Sequence, residues 1–201
     1  MRIARRLFVV LLGDDAHGKT SMLRALAGQA EAYAYLPPHP QKEQDGRPRA
    51  WISPWGRHVN AYLFPRSYQE REKQPHGSVE GALDANDRKW RDRELIIMPS
   101  HVTDIVDDRH KIDDIDQMIE AANGAGFDII CATVLFVGTD DAYEPQKPQN
   151  LSSIWKKNWD ERWTIPNKRF VNASQDDPRL KGQVEALGRD LWTWICRALA
   201  S

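Results

Sequence analysis

The order of apolar and polar positions along the chain predicts strands and helices that alternate. Continuous apolar runs are typical of strands buried on both faces, whereas two shorter apolar segments around a tight turn indicate a hairpin. The sequence predicts strands over Leu7–Leu12, Ala50–Pro54, His58–Phe64, Leu95–Met98, Asp128–Gly138 and Arg169–Asn172. The second and third of these strands are separated by Trp55-Gly56-Arg57 and form the predicted antiparallel hairpin.

Apolar residues spaced three and four apart predict the helices. They cover Lys19–Ala27 with Gly28 as its C-cap, residues 112–122, Leu151–Trp163 and Val184–Ala200. Residues 36–49 are rich in proline and are predicted to form a loop, and residues 65–93 are polar with only a weak helical pattern near Val79–Trp90. We therefore expect one α/β domain over residues 1–201, with a mostly parallel sheet, helices on both faces and one antiparallel hairpin strand.

Composition narrows the class of protein. The 28 Lys and Arg against 29 Asp and Glu leave a net charge of −1, which argues against a nucleic-acid-binding or membrane-surface protein. No apolar run approaches the roughly 18–20 residues that span a bilayer. The apolar run Leu7–Leu12 is too short for a signal peptide, so we expect a cytoplasmic protein. Cys131 and Cys196 form neither a disulfide framework nor a metal-ligand set.

The strongest chemical signal is a phosphate-binding motif between the first strand and the first helix. Its residues are Gly13, Asp14, Asp15, Ala16, His17, Gly18, Lys19 and Thr20, and Ser21 follows in the first helical turn. They match G-x-x-x-x-G-K-[ST], in which the glycines let backbone N–H groups face phosphate oxygens. Lys19 supplies a positive charge to the β- and γ-phosphates, and the Thr20 hydroxyl can ligate Mg²⁺. The motif predicts a site for GTP or ATP with Mg²⁺.

The element order around this motif resembles that of the Ras-like small GTPases, a family of P-loop NTPases. Gly13-Asp14 and Gly18-Lys19-Thr20 are the residues that carry the resemblance most specifically. It implies that Lys19 takes part in catalysis and that Gln69 is the glutamine that orients the attacking water. It also implies a nucleotide base contacted after the long fifth strand and in a final loop, by Thr139, Asp140, Asp141 and Ala173.

The chain departs from the family pattern at the positions that support hydrolysis. No Thr lies between Thr20 and Thr103 to supply the switch-loop ligand of Mg²⁺, and Pro65 and Tyr68 stand where D-x-x-G has its Asp and Gly. Phosphoryl transfer needs the metal held and the nucleophile positioned. We therefore expect hydrolysis to be slow or to depend on a partner.

Two other functions remain open from the sequence. A small-molecule or nucleoside kinase would use the same loop together with polar residues around the fourth strand, namely Asp92, Arg93 and Glu94 before it and Ser100, His101 and Asp104 after it. A nucleotide-binding scaffold without turnover is the third possibility. The acidic run over residues 104–116 is interpreted as the solvated start of a helix.

Eight Trp are many for a chain of 201 residues. Trp155, Trp159 and Trp163 are spaced four apart and would share one face of the predicted helix Leu151–Trp163. Such a stripe is more often part of the core than a binding site, although protein interfaces also use large aromatic side chains on a surface helix. We therefore expect any protein partner to bind at this helix or at the Pro-rich loop 36–49.

Overall fold

The computed structural model describes residues 4–13, 18–31, 47–106, 111–137, 151–168 and 177–199. The strands of this part of the chain are β1 Leu7–Leu12, β2 Arg47–Ile52, β3 His58–Leu63, β4 Leu95–Ser100, β5 Asp128–Val137 and β6 Glu161–Lys168. The helices are α1 Lys19–Glu31, α2 Tyr68–Arg71, α3 Lys73–His76, α4 Val79–Asn86, α5 Asp114–Gly124, α6 Leu151–Trp155 and α7 Pro178–Ala198, with a 3₁₀ turn at Trp90–Asp92.

The six described strands form one sheet in the order β2-β3-β4-β1-β5-β6. β1 lies inside it and pairs in parallel with β4 from Leu7↔Leu95 to Leu12↔Ser100, and with β5 along its other edge. Every residue of β1 is buried, as its continuous apolar sequence predicts. The β2–β3 pair is antiparallel and the remaining pairs are parallel. The prediction of a mostly parallel α/β sheet with one antiparallel hairpin is therefore confirmed.

Helices pack on both faces of the sheet because successive residues of β1 point to opposite sides. Val9 contributes to a core with α1 and α7, whereas Val10 contributes to a core with α4 and α5. Among the described helices, none is long and apolar enough to cross a membrane.

The region 151–163 differs from the sequence prediction. The helix ends at Trp155, and Glu161 begins the edge strand β6, in which buried and exposed residues alternate. The three Trp residues therefore do not share one face. Trp163 faces the α1–α7 core, whereas Trp155 and Trp159 pack on the opposite face of the sheet. The alternation of buried and exposed residues in β6 decides the structure here, and the four-residue spacing of Trp does not. The prediction of one helix with three Trp on a single face is wrong.

Several element boundaries also differ. α1 continues through Gly28 to Glu31, because Ala30 is buried and extends the packed face, so Gly28 is not a C-cap. β2 begins at Arg47, inside the segment predicted as loop, and residues 65–93 contain α2, α3 and α4. The rest of the Pro-rich loop and the strand predicted over 169–172 lie outside the described residues.

Helices α1 and α7 pack closely against each other. Gly188 of α7 lies so near α1 that a Cβ at this position would be 2.7 Å from the Ala25 Cβ and 2.8 Å from the backbone nitrogen of Leu26. A side chain there would push the two helices apart. This contact therefore sets where α1 lies, and with it the end of the phosphate motif.

We predict that Gly188→Ala lowers the free energy of unfolding by about 1–3 kcal/mol, because the added methyl group overpacks the α1–α7 contact. Gly182→Ala is the matched control on the same helix, since a Cβ there meets nothing within 4 Å. The control is expected to gain about 0.5–1 kcal/mol through helix propensity. Urea unfolding followed by circular dichroism measures both; equal effects of the two substitutions would contradict the close contact.

Candidate functional site

The two ends of the phosphate motif lie where β1 leaves the sheet and α1 begins. Gly13 follows β1 directly and is buried, and Lys19 is the first residue of α1. Gly18 has φ of +81°, a left-handed conformation that side chains other than glycine rarely adopt. Asp14–His17 lie outside the described residues. The described residues thus place the end of a strand before the motif and the start of a helix at its end, as the motif requires.

Lys19 closes the base of this loop. Its side chain is only 5% exposed, and Nζ donates a hydrogen bond of 2.5 Å to the carbonyl oxygen of Gly13. This hydrogen bond therefore joins the last part of the motif, at Lys19, to its first residue, Gly13. Thr20 is half-buried and Ser21 is exposed in the same first turn.

The strand beside β1 brings a second set of polar groups to the loop. Leu12 pairs with Ser100, and the Gly13 N–H donates to the Ser100 carbonyl at 3.3 Å. The hairpin strand β3 ends one strand further away, with Leu63 level with Ile97. Ser100 therefore neighbours the phosphate motif, whereas β3 is separated from β1 by β4.

Gln69 reaches this position from α2 and bridges three groups. Its Nε2 donates to Ser100 Oγ at 3.0 Å and to Asp114 Oδ2 at 3.0 Å. Its Oε1 accepts from the backbone N–H of His101 at 3.0 Å. The structure thus places Gln69 next to the end of β4, with both ends of its amide engaged.

Asp114 and Lys73 hold the loop that follows β4. Lys73 Nζ donates to Asp114 Oδ2 at 2.9 Å and to the carbonyl oxygens of Asp104 and Val106 at 2.8 and 3.0 Å. Asp104 has φ of +55°, and these bonds hold the loop in that conformation. Asp114 is 0% exposed. The interpretation of residues 104–116 as a solvated acidic segment is therefore wrong for Asp114, because its carboxylate forms this internal ion pair.

His101 lies against α2 through a second contact. Its Nε2 is 2.9 Å from Glu70 Oε1, and the imidazole is only 12% exposed. A histidine paired with a carboxylate has a defined ring orientation and tautomer. The end of β4 therefore carries an oriented imidazole one residue from the Ser100 carbonyl that binds Gly13.

The kinase candidates before β4 lie at the opposite edge of the sheet, because they precede the amino end of that strand. Arg93 pairs with Asp87 at 2.7 Å, and Glu94 pairs with Arg57 at 2.5 Å. These side chains bind elements of the fold to each other. Of the two kinase sets, the one after β4 includes Ser100, which contacts Gly13 of the phosphate motif.

Asn167, near the end of β6, lies beside Gly18 of the phosphate motif and was not predicted from the sequence as a site residue. A Cβ on Gly18 would lie 3.0 Å from Asn167 Nδ2. Gln183 of α7 donates to Asn167 Oδ1 at 2.5 Å and to the Lys168 carbonyl at 2.9 Å. The available signal was the dipeptide Asn167-Lys168, which has the first two letters of the guanine-binding motif N-K-x-D. The residues predicted to contact the base, Thr139, Asp140, Asp141 and Ala173, lie outside the described residues.

Three other side chains that could be reactive, those of Cys131, Cys196 and Lys157, have structural roles. Burial raises the pKa of the Cys131 and Cys196 thiols from 9.0 to about 12, so neither is a thiolate near neutral pH. Burial alone would lower the pKa of Lys157, but its bonds to Asp113 and Asp116 at 2.7 and 2.6 Å raise it. These side chains are therefore poor candidates for a nucleophile or a general base.

Comparisons of the chain with protein-family models, with curated proteins and with solved structures found no match. Within the described ranges, no group of three or more His, Cys, Asp or Glu side chains lies together as a metal site. The site is therefore defined by the phosphate motif and the polar groups that the sheet places beside it.

We predict that neither thiol of the folded protein is alkylated by iodoacetamide near neutral pH, whereas both react after unfolding in urea. The two side chains lie in cores on opposite faces of the sheet and are buried. Because folding raises both pKa values, their contribution to stability is complete below about pH 9 and is lost as the pH rises toward about 12. Mass spectrometry counts the adducts, and rapid labelling of Cys131 in the native protein would contradict its burial.

Proposed function

We propose that this chain is a nucleoside triphosphate-binding protein similar to the Ras-like small GTPases, and that it binds the triphosphate through Gly13–Thr20. The observation that carries the proposal is the junction of β1 and α1. There Gly18 is left-handed and Lys19 directs its ammonium group to the Gly13 carbonyl. This geometry is what the G-x-x-x-x-G-K-[ST] motif needs in order to surround a phosphate.

The phosphate competes for contacts that the motif already holds. A phosphate oxygen is a stronger acceptor for Lys19 than the neutral Gly13 carbonyl, because it carries a negative charge that attracts the ammonium group. The N-terminus of the 13-residue helix α1 adds its positive dipole end at the same place. Mg²⁺ would be held by the Thr20 hydroxyl and would neutralise charge on the phosphates.

We assign guanine recognition to the end of β6 as part of the same proposal. Asn167 is 5% exposed and lies against Gly18, so a base bound beside it would be near the loop. Asn167 and Lys168 match the first two positions of N-K-x-D, whereas Arg169 and Phe170 follow instead of an acidic residue. This favours GTP over ATP, with a preference weaker than a complete motif would give.

Turnover in this proposal is slow or depends on a partner. Ser100, and not a carboxylate, ends the strand beside β1, and Gln69 is engaged by Ser100, His101 and Asp114. A partner protein that binds the Pro-rich loop 36–49 would supply the missing carboxylate or release Gln69 from these bonds. A kinase remains the alternative outcome, because the polar residues Ser100 and His101 follow one another at the end of the strand beside β1.

We predict that Lys19→Ala weakens GTP binding by at least about 100-fold, because it removes the ammonium group that pairs with the phosphates. Arg24→Ala is the matched control, since it removes a cation from an exposed position on the same helix. Isothermal titration calorimetry with GTP and with ATP gives the affinities.

Unchanged affinity in Lys19→Ala would contradict the proposed phosphate site. The nucleotide released when the purified protein is denatured gives an independent result, with GDP or GTP supporting the GTPase class and ADP or ATP supporting the kinase. Product analysis then separates hydrolysis, transfer to an acceptor and binding alone.

We predict that Asn167→Ala lowers the preference for GTP over ATP by about tenfold, which corresponds to the loss of one well-formed hydrogen bond in a buried site. Asp140→Ala and Asp141→Ala test the site predicted from the sequence. A change in preference confined to those two substitutions would show that the base lies beyond β5 and would overturn the assignment to β6.

A further inference from the structure

The position of His101 follows from a short chain of contacts to the phosphate motif. Lys19 Nζ binds the Gly13 carbonyl, and the Gly13 N–H binds the Ser100 carbonyl. His101 is the next residue after Ser100 and stands at the carboxyl end of the strand beside β1. In open α/β sheets this edge of the central strands is where ligands bind.

Glu70 orients the imidazole of His101. The Nε2 of His101 lies 2.9 Å from Glu70 Oε1, and Glu70 also lies 3.5 Å from Arg66. When Nε2 carries the hydrogen bonded to this carboxylate, Nδ1 of the neutral ring has a lone pair and accepts a proton. A carboxylate that fixes the tautomer of a histidine general base is a recurring catalytic arrangement.

Gln69 is positioned for a different role from the one that the family resemblance implies. Its Nε2 is committed to Ser100 and Asp114, and its Oε1 is committed to the His101 N–H. To orient a water molecule, it would have to give up bonds to buried groups. In this arrangement its hydrogen bond to the His101 N–H holds the backbone of His101 in place.

The loop beyond His101 is anchored as well. Lys73 is bound to Asp114 and to the carbonyls of Asp104 and Val106. The backbone of His101 is thus held by Gln69, and the loop after it by Lys73, from two consecutive short helices. Such support keeps a reacting group in one orientation.

Resting on the proposed function, we propose that His101 is the catalytic base for hydrolysis of the bound nucleotide, with Glu70 and Gln69 as positioning residues. The oxygen of water forms a bond to the γ-phosphorus and gives a proton to Nδ1 of His101. The bond from the γ-phosphorus to the bridging oxygen breaks, and its electron pair remains on the diphosphate. The proton then passes from His101 to the released phosphate, so that nucleoside triphosphate and water yield diphosphate and inorganic phosphate.

The test measures single-turnover release of phosphate from GTP with protein in excess, alongside GTP affinity by calorimetry. His101→Ala is expected to slow release by at least about 100-fold while the dissociation constant changes by less than about threefold. Glu70→Gln keeps the shape of the side chain and is expected to slow release by about tenfold with the same affinity. His76→Ala is the matched control, because His76 is also paired with a carboxylate, Glu72 at 3.3 Å, on α3.

The outcomes separate the role of His101 from nucleotide binding. Release by His101→Ala at the wild-type rate, or no release by the wild-type protein itself, would overturn the role of His101 while nucleotide binding stands. Failure of the wild-type protein to bind GTP or ATP would overturn the proposed function. If His101→Ala does not fold by circular dichroism, Glu70→Gln decides alone, and an unchanged rate in that variant would overturn the proposed positioning.

Discussion

The two parallel ladders on either side of β1 are the interactions on which the rest of the structure depends. They align the carboxyl ends of β4 and β1 so that Ser100 pairs with Leu12. On the other side of β1, Leu12 pairs with Thr133 of β5. Burial of β1 on both faces makes this pairing costly to shift, since a slip by one residue would turn each side chain to the opposite core. The phosphate motif therefore leaves the sheet at a defined point, between groups that the neighbouring strands supply.

Each face of the sheet contributes a different part of the site. The face with α1 and α7 carries Lys19, and α7 reaches the loop through Gln183 and Asn167. The opposite face carries α2, α3 and α5, which supply the network around Gln69 and Asp114. The first set places Lys19 and Asn167 at the described ends of the motif, and the second holds the end of β4 beside it. Hydrolysis in the proposed mechanism needs both sets, so it depends on packing on both sides of β1.

Prediction from sequence succeeded where one local signal acted alone. The run Leu7–Leu12 is short, continuous and rich in β-branched and aromatic residues, which indicates a buried strand, and the hairpin is marked by its own turn. It failed where two periods overlapped, at 151–163, because the spacing of three Trp matched a helix while burial required the alternation of β6. The burial of Asp114 was also beyond prediction, since its ion pair with Lys73 joins residues 41 positions apart.

The sequence by itself determined the class of fold and the phosphate motif, including Gly13, Lys19 and Thr20. The class of fold follows from apolar patterns that are each local to one element, and the motif lies within one short stretch of the sequence. Only the tertiary structure decided that β4 lies beside β1, and hence that Ser100, at the end of β4, bonds to Gly13 of the motif. The order of strands has no local signature, because it results from the summed packing of side chains that are distant along the chain.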